Sequence, residues 1–351
     1  MTIYHIQDNM MVHWLVLLCS ALLLPTNNVA AFSTRICITS SKHHTNKDNS
    51  LHAMIPLDNI DIPIIFENDK LLAINKPPHI SHHDNPLTGE LGIISIIRSQ
   101  QQTQTFSYPN RLWSVHRLDK VTSGIILLAK DSVTASILIR KFQQKEITKY
   151  YTAISARRPK KKQGWVRGNM VMGRRGSYKL VNSKNKVQQS NVDEEEVDDD
   201  IDTEKKKQTR GGYAVTRYFT AGLGNLSMAS SLLKIEDKEA QSVARTAMLF
   251  QPHTGKTHQI RVAAKSSSIP ILGDDRYGGG SLDIHDSSAD WNRTYLHASA
   301  IHLELDDNEH VTIWSPPPFD HLFAKGELND VFVRLMKKHC DCSSILDTIA
   351  G

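Results

Sequence analysis

At 351 residues, 40% of them hydrophobic, the chain is long enough for one large domain with appendages and can bury a sizeable core. Its four cysteines, Cys19, Cys37, Cys340 and Cys342, lie near the two ends, which excludes a disulfide framework across the core, and Cys340-Asp341-Cys342 lacks the second pair that a zinc site needs. The net charge of +5 is compatible with a nucleic-acid partner without establishing one.

Residues 10–24 form an apolar run of signal-peptide length, ended by Pro25 and too short for a comfortable membrane span. Val29-Ala30-Ala31 offers small residues for cleavage before Phe32, so 1–31 reads as signal-peptide-like. Residues 32–54 follow with Ser, Thr, Lys and His in excess, which is transit-peptide composition. The pair resembles the bipartite presequence of plastid proteins in algae with secondary plastids. The alternatives are a mitochondrial presequence or simple secretion, since no Lys or Arg precedes the apolar run. The mature form is expected to carry no membrane span.

The folded part is predicted to begin near Ile60. Ile64 to Pro78 reads as strand, turn, strand with Asn68-Asp69 at the tip. His79, His82 and His83 cluster, but with no spaced carboxylate or Cys nearby they read as a polar loop and not as a metal site. Gly92 to Gln101 has helical spacing of Ile93, Ile94, Ile96 and Ile97. Next comes His116-Arg117-Leu118-Asp119-Lys120-Val121-Thr122-Ser123-Gly124, a turn signal between two strand-like segments. Asp119 reads either as a turn residue capping backbone amides or as a reactive carboxylate held between Arg117 and Lys120. Asp131 to Lys145 is predicted as a helix capped by Asp131-Ser132. The strand Ile147 to Ile154 sends Tyr150 and Tyr151 to opposite faces.

From Ile147 to Val192 there is no Asp or Glu among twelve Lys and Arg residues, a one-sided charge that suits phosphate contacts. Asp193 to Asp202 then inverts the sign, and 182–212 reads as a disordered insertion. It is expected to interrupt a hairpin of Ser177–Val181 with Gly212–Phe219. Ser230–Glu236 and Ala244–Pro252 continue the strands. In Thr254 to Lys265, Thr257 is expected to cap a helix carrying His258 and Arg261 on one face. Gly255-Lys256-Thr257 is no phosphate loop, because Phe250 stands where a Walker motif has its first glycine. Tyr295–Leu305 and Val311–Pro317 are predicted strands, Phe319–Lys338 a helix and 341–351 a tail.

The run YPNRLWSVHRLDKVTSGIILLAK resembles the signature of the RluA-type pseudouridine synthases. Asn75-Lys76-Pro77, Lys149-Tyr150-Tyr151-Thr152-Ala153, Thr254-Gly255-Lys256-Thr257-His258-Gln259-Ile260-Arg261 and Leu296-His297-Ala298 resemble further motifs of that family, in the family's order. The resemblance implies an α+β fold over 60–340: a large, mixed, mainly antiparallel sheet flanked by helices, with a central active-site cleft. It implies an enzyme that isomerises uridines of ribosomal or transfer RNA by base flipping, without metal or other cofactor; the expected partner is RNA, no protein partner is inferable, and a monomer is expected. It makes Asp119 the catalytic carboxylate, Arg261 its partner and Tyr151 the active-site tyrosine. Arg117, Thr122, His258 and Lys149 become substrate-binding candidates, with Arg117 filling the place of the flipped base, and His116 a structural residue. The chain departs from the family pattern at His79, where Gly is usual, and at Ala263, where His is common. Nothing in the presequence resembles the family's S4-type RNA-binding module. The rival readings are a catalytically silent RNA-binding protein or RNA chaperone of the same fold, and a hydrolase using Ser123 with His116 or His258, which lacks the G-x-S-x-G elbow.

Overall fold

The computed structural model describes residues 62–103, 111–181, 212–223, 246–279, 293–306, 309–317 and 326–350. The leader-like residues 1–54, the acidic block 193–202 and the strand expected at Ser230–Glu236 lie outside them.

β1 (Ile64–Glu67) and β2 (Leu71–Lys76) form the expected hairpin. Its turn is closed by the Asn68 side chain, whose Oδ1 accepts from the amides of Lys70 at 3.0 Å and Leu71 at 2.7 Å. α1 (Ile93–Thr103) buries Ile93, Ile96 and Ile97 at the predicted spacing. β3 (Trp113–Ser114) is only two residues long, and β4 (Ser123–Ala129) already begins at Ser123. Most of the motif around Asp119 is therefore loop, not strand. α2 (Ser132–Gln144) starts at Asp131, whose carboxylate accepts from Thr134 N at 2.8 Å.

β5 (Thr148–Ser155), β6 (Gln163–Met172), β7 (Tyr178–Val181), β8 (Tyr213–Gly222) and β9 (Thr246–Pro252) continue the sheet. β10 (Leu296–Asp306) and β11 (Glu309–Trp314) complete it. The order is β1-β2-β4-β10-β5-β9-β8-β6-β7, with β11 on β10 and β3 on β4. Only the β4–β10 pairing is parallel, so the sheet is mixed and mainly antiparallel, as the resemblance implied. α3 (Gln259–Ser266), α4 (Gly326–His339) and α5 (Ser343–Ala350) are the remaining helices of the described residues.

Two expectations need correction. β7 and β8 do not pair with each other; both pair with β6, so the insertion joins two strands that flank a third. β6 escaped the sequence reading because its stretch was read for charge alone. The expected tail folds into α5, with Ile345 buried against Leu328, Phe332 and Leu335 of α4, while the terminal helix expected at Phe319–Lys338 is present over Gly326–His339, its first residues lying outside the described ones. That packing gives the last residues an apolar face to bury.

The two tyrosines of β5 do take opposite faces. Tyr150 joins the cluster with α4, while Tyr151 packs with Leu118 and Ala298 on one side and with Phe250 and Ile260 on the other. The parallel pairing of His297 with Ser123 and Ala298 with Gly124 sets the turn before β4 beside the start of β10. Gly124 has φ 112°, and a Cβ there would run into the backbone of Ala298.

Gly124→Ala is accordingly expected to destabilise the fold by roughly 2–5 kcal/mol, combining left-handed strain with overpacking against backbone. Equilibrium urea denaturation reads it as a lower midpoint; a midpoint equal to that of the parent chain contradicts this account of the β4–β10 contact.

Candidate active site

The Asp119 turn is closed by Thr122 N donating to the Asp119 carbonyl at 3.0 Å. Behind it lies Lys76, fully buried at the end of β2. Its ammonium donates to the carbonyls of Pro77 at 2.7 Å, Ile80 at 3.0 Å and Lys120 at 3.3 Å. One cation thus ties the loop after β2 to the turn that carries Asp119. The Lys76 pKa is lowered to about 7, first by burial and second by the Arg293 charge, against the opposing charge of Asp119. His79 sits on the same loop at φ 67°, a left-handed position, which is why a glycine is at home there and why His is tolerated at a modest cost.

His116 has the structural role expected of it. Its Nε2 accepts from Leu127 N at 2.9 Å and its ring stacks on Phe142, with centroids 4.7 Å apart. Burial lowers its pKa to about 3, with the Lys149 charge acting in the same direction, so the ring is neutral.

The Asp119 carboxylate does not meet the two cations that flank it in sequence. Lys120 turns away to Glu90 at 2.7 Å, and Arg117 Nη2 donates to Thr257 Oγ1 at 3.3 Å. Its polar neighbours come from a distant part of the chain. Arg261 Nη1 stands 3.5 Å from Asp119 Oδ2, and His258 Nε2 stands 4.0 Å from the same oxygen. Among the described residues none hydrogen-bonds Oδ1.

Arg261 is buried, and Asp274 is its closest partner. Nε donates to Asp274 Oδ2 at 2.8 Å and Nη2 to Oδ1 at 2.7 Å, a bidentate fork that leaves Nη1 for Asp119. Burial by itself would lower the guanidinium pKa; the hydrogen bonds and charge of Asp274, with the charge of Asp119, more than offset it and raise the pKa. Tyr277 adds its ring face, 5.0 Å from the guanidinium carbon.

The helix bearing Arg261 starts later than predicted. α3 begins at Gln259, and His258 occupies the cap position in a left-handed conformation, φ 57°, with no capping bond from its side chain. Thr257 does not cap. Instead the Gln259 side chain folds back, its Oε1 accepting from Lys256 N at 2.9 Å and Thr254 Oγ1 at 2.7 Å. The turn therefore presents His258 and Arg261 from a loop and a helix, not from one helical face.

A cleft of about 450 Å³ opens over these groups, lined by Ser81, His82, His83, Arg117, Leu118, Asp119, Lys120, Val121, His258, Arg261 and Arg276. It contains Arg117, Asp119, His258 and Arg261 among the nominated residues. Tyr151 lies behind that wall, its phenol pKa raised by burial first and by the Asp119 charge second. Thr122 is buried and is not among the residues lining the cleft; it closes the turn through its backbone. Lys149 does not line it either, lying 5.4 Å over the Phe142 ring with its pKa lowered to about 8 by burial. Ser123 is buried in β4, where its Oγ meets Arg293 Nη2 at 2.7 Å and His297 Nδ1 at 2.9 Å, so neither His116 nor His258 activates it. Among the described residues no group of three or more His, Cys, Asp or Glu is placed to hold a metal ion. Lys76, Asp274 and Tyr277 are the residues that the sequence reading missed. The signals that could have found them are a charge ending an apolar strand, at Lys76, and an acid following Ile269–Gly273, at Asp274.

Residues 70–266, which span Asp119 and Arg261, match the family model described as RNA pseudouridylate synthase. The chain belongs to this family. Its reaction is therefore the isomerisation of uridine in RNA to pseudouridine. It is 32% identical to an uncharacterized RNA pseudouridine synthase of Haemophilus influenzae, over 71% of this chain and 85% of that protein. It is 30% identical to ribosomal large subunit pseudouridine synthase C of Rickettsia prowazekii, over 68% of this chain and 62% of that protein. It is 29% identical to tRNA pseudouridine synthase C of Pasteurella multocida, over 69% of this chain and 84% of that protein. The solved structure of human RNA pseudouridylate synthase domain containing 4 shares the fold, with a TM-score of 0.52 and 23% identity over 76% of this chain and 92% of that one.

Two imidazoles, the half-buried His116 and the fully buried His297, brace the synthase site, and both set a pH dependence. His116 and His297 each have a folded-state pKa lowered to about 3, chiefly by burial, against 6.5 when unfolded. The stability this lends is complete above pH 6.5 and is lost as pH falls toward 3, because only the unfolded chain takes up those protons. Stability is expected to fall within that window by roughly 1.4 kcal/mol per pH unit for each ring. Urea denaturation between pH 7 and 4 measures it, and replacing His116 by Gln is expected to reduce the slope; an unchanged slope refutes the assignment.

Proposed function

We propose that this chain isomerises a uridine of ribosomal or transfer RNA in the cleft over Asp119, with the Asp119 carboxylate acting on the ribose or base. The observation that carries the reading is the setting of that carboxylate: it lines the cleft, Arg261 and His258 stand 3.5 Å and 4.0 Å from it, and neither of its oxygens accepts a hydrogen bond from another described residue. An anion held beside one buried cation and otherwise open to the cleft is what an attack on C1′, or stabilisation of charge at the glycosidic bond, calls for.

The isomerisation breaks N1–C1′ and joins C5 to C1′; C5 gives up its proton and N1 gains one, so atoms and electrons balance with no redox step. A paired uridine must leave its stack to reach Asp119, and the exposed Arg117 at the rim is placed to fill the gap. Tyr151, which packs against the cluster of Leu118 and Ala298 and lies within reach of the Asp119 charge, is the ring expected to stack under the base once it enters. Around β6 and β7, the exposed Arg157, Arg158, Lys160, Lys161, Lys162, Arg167, Arg174 and Arg175 form a basic arm suited to the phosphate backbone. The relatives carry the names of both a ribosomal and a transfer RNA enzyme, so both RNA classes belong in the test.

Release of tritium from uridine labelled at C5 follows the C5–C1′ step. With unmodified ribosomal and transfer RNA transcripts, Asp119→Asn is expected to lower it by at least about a thousandfold while leaving RNA affinity within about threefold. Full activity in that variant sinks the assignment. The leader-like residues 1–54 fit delivery to a plastid, and a fluorescent reporter carrying them is expected in that organelle; a secretory or mitochondrial signal overturns this address.

A further inference from the structure

The hydroxyl of Tyr277 fixes the state of the histidine beside Asp119. Tyr277 is almost fully buried, at the end of the short turn Asp275–Tyr277. Its Oη has two polar neighbours among the described residues: Tyr178 N, which donates to it at 2.9 Å, and His258 Nδ1 at 2.8 Å. A backbone N–H can only donate, so the Tyr178 bond occupies a lone pair of Oη. If Nδ1 also carried a proton, Oη would accept twice and its own proton would be buried without an acceptor, at a cost of about 1–3 kcal/mol. Every group is satisfied when Oη donates to Nδ1. The neutral imidazole then carries its proton on Nε2.

That nitrogen is the one that faces Asp119 Oδ2, at 4.0 Å. The left-handed backbone at His258 holds the ring there, and Tyr178 and Tyr277 pack edge-on against it. Burial lowers the His258 pKa, Arg261 and Arg276 lower it too, and the charges of Asp119 and Asp274 oppose them. The ring is thus a neutral donor next to a carboxylate already held by one cation.

We propose that His258 is a positioning residue: locked as the Nε2–H tautomer by Tyr277, it donates to Asp119 Oδ2 beside Arg261 and thereby turns Oδ1 toward the substrate. This rests on the reading of Asp119 as the carboxylate that acts on the uridine. A closure of about 1 Å brings the 4.0 Å separation to hydrogen-bond length. The lock also reaches the basic arm. Tyr178 belongs to β7, and Arg276 Nη1 donates to the Arg175 carbonyl at 2.9 Å, so the turn that sets the tautomer is bonded twice to the surface suited to RNA.

The full chain labelled with ¹⁵N in its histidine rings tests the lock directly. Two-bond ¹H–¹⁵N correlations, assigned to His258 by their loss in His258→Gln, are expected to show the Nε2–H pattern, and Tyr277→Phe is expected to admit the Nδ1–H form. An Nδ1–H ring in the parent chain overturns the inference, as does a tautomer indifferent to Tyr277→Phe. A second arm compares His258→Gln, whose amide nitrogen falls near Nε2, with His258→Asn, whose amide nitrogen falls near Nδ1. In single-turnover tritium release from the same transcripts, Gln is expected to stay within about threefold of the parent and Asn to fall about tenfold or more at unchanged RNA affinity. Equal rates in the two variants overturn it. The tautomer is read without RNA, so its failure removes this inference alone, whereas an active Asp119→Asn removes the functional reading beneath it.

Discussion

The site depends on how one buried guanidinium divides its donors. Arg261 gives two nitrogens to Asp274 and keeps the third for Asp119. A buried arginine without a carboxylate is strongly unfavourable, and removing one member of such a pair typically costs about 3–5 kcal/mol. Asp274 therefore does for Arg261 what Asp119 alone would otherwise have to do. With its charge already met, Arg261 can stand 3.5 Å from Asp119 without engaging it in a full bidentate bond.

The backbone frame serves the same end from the opposite side. Lys76 draws three carbonyls together beneath the Asp119 turn, and the close approach of Gly124 to Ala298 seats that turn on the edge of β10. These contacts fix where the main chain of Asp119 lies, while α3 and the Asp275–Tyr277 turn fix what its side chain meets. The two halves are far apart in sequence and are joined only because β10 lies between β4 and β5 in the sheet.

Much of this was legible in the sequence, for reasons that differ from residue to residue. The first hairpin, the Asp131 helix cap and the opposite faces of Tyr150 and Tyr151 follow from local chemistry and period, and those expectations agree with the structure. Asp119, Arg261, Arg117 and His258 were recognisable because motifs keep residue type and spacing together. Local charge misled. Lys120 and Arg117 flank Asp119 in the chain, yet adjacent side chains in a turn diverge, and both cations leave for other partners. The pairing of β7 and β8 was misjudged because sequence proximity across a long insertion says nothing about which strand lies between. Asp274, Tyr277 and Lys76 stayed hidden because their importance lies in tertiary partners and not in their own neighbours.

The Asp119 carboxylate caps no backbone amide among the described residues; the turn is held by the residue's main chain instead. Its carbonyl closes the turn with Thr122 N, while its carboxylate points into the cleft toward Arg261 and His258. Main chain and side chain carry separate duties, and the first makes the second possible, since a side chain can be aimed to within tenths of an ångström only from a backbone that cannot move. The same division separates the two histidines near it. His116 spends Nε2 as an acceptor for the Leu127 amide and so stiffens the strand after the turn, whereas His258 has its Nδ1 occupied by Tyr277 and its Nε2 left facing the carboxylate. Identical rings thus take opposite roles according to which nitrogen the surrounding fold has already claimed.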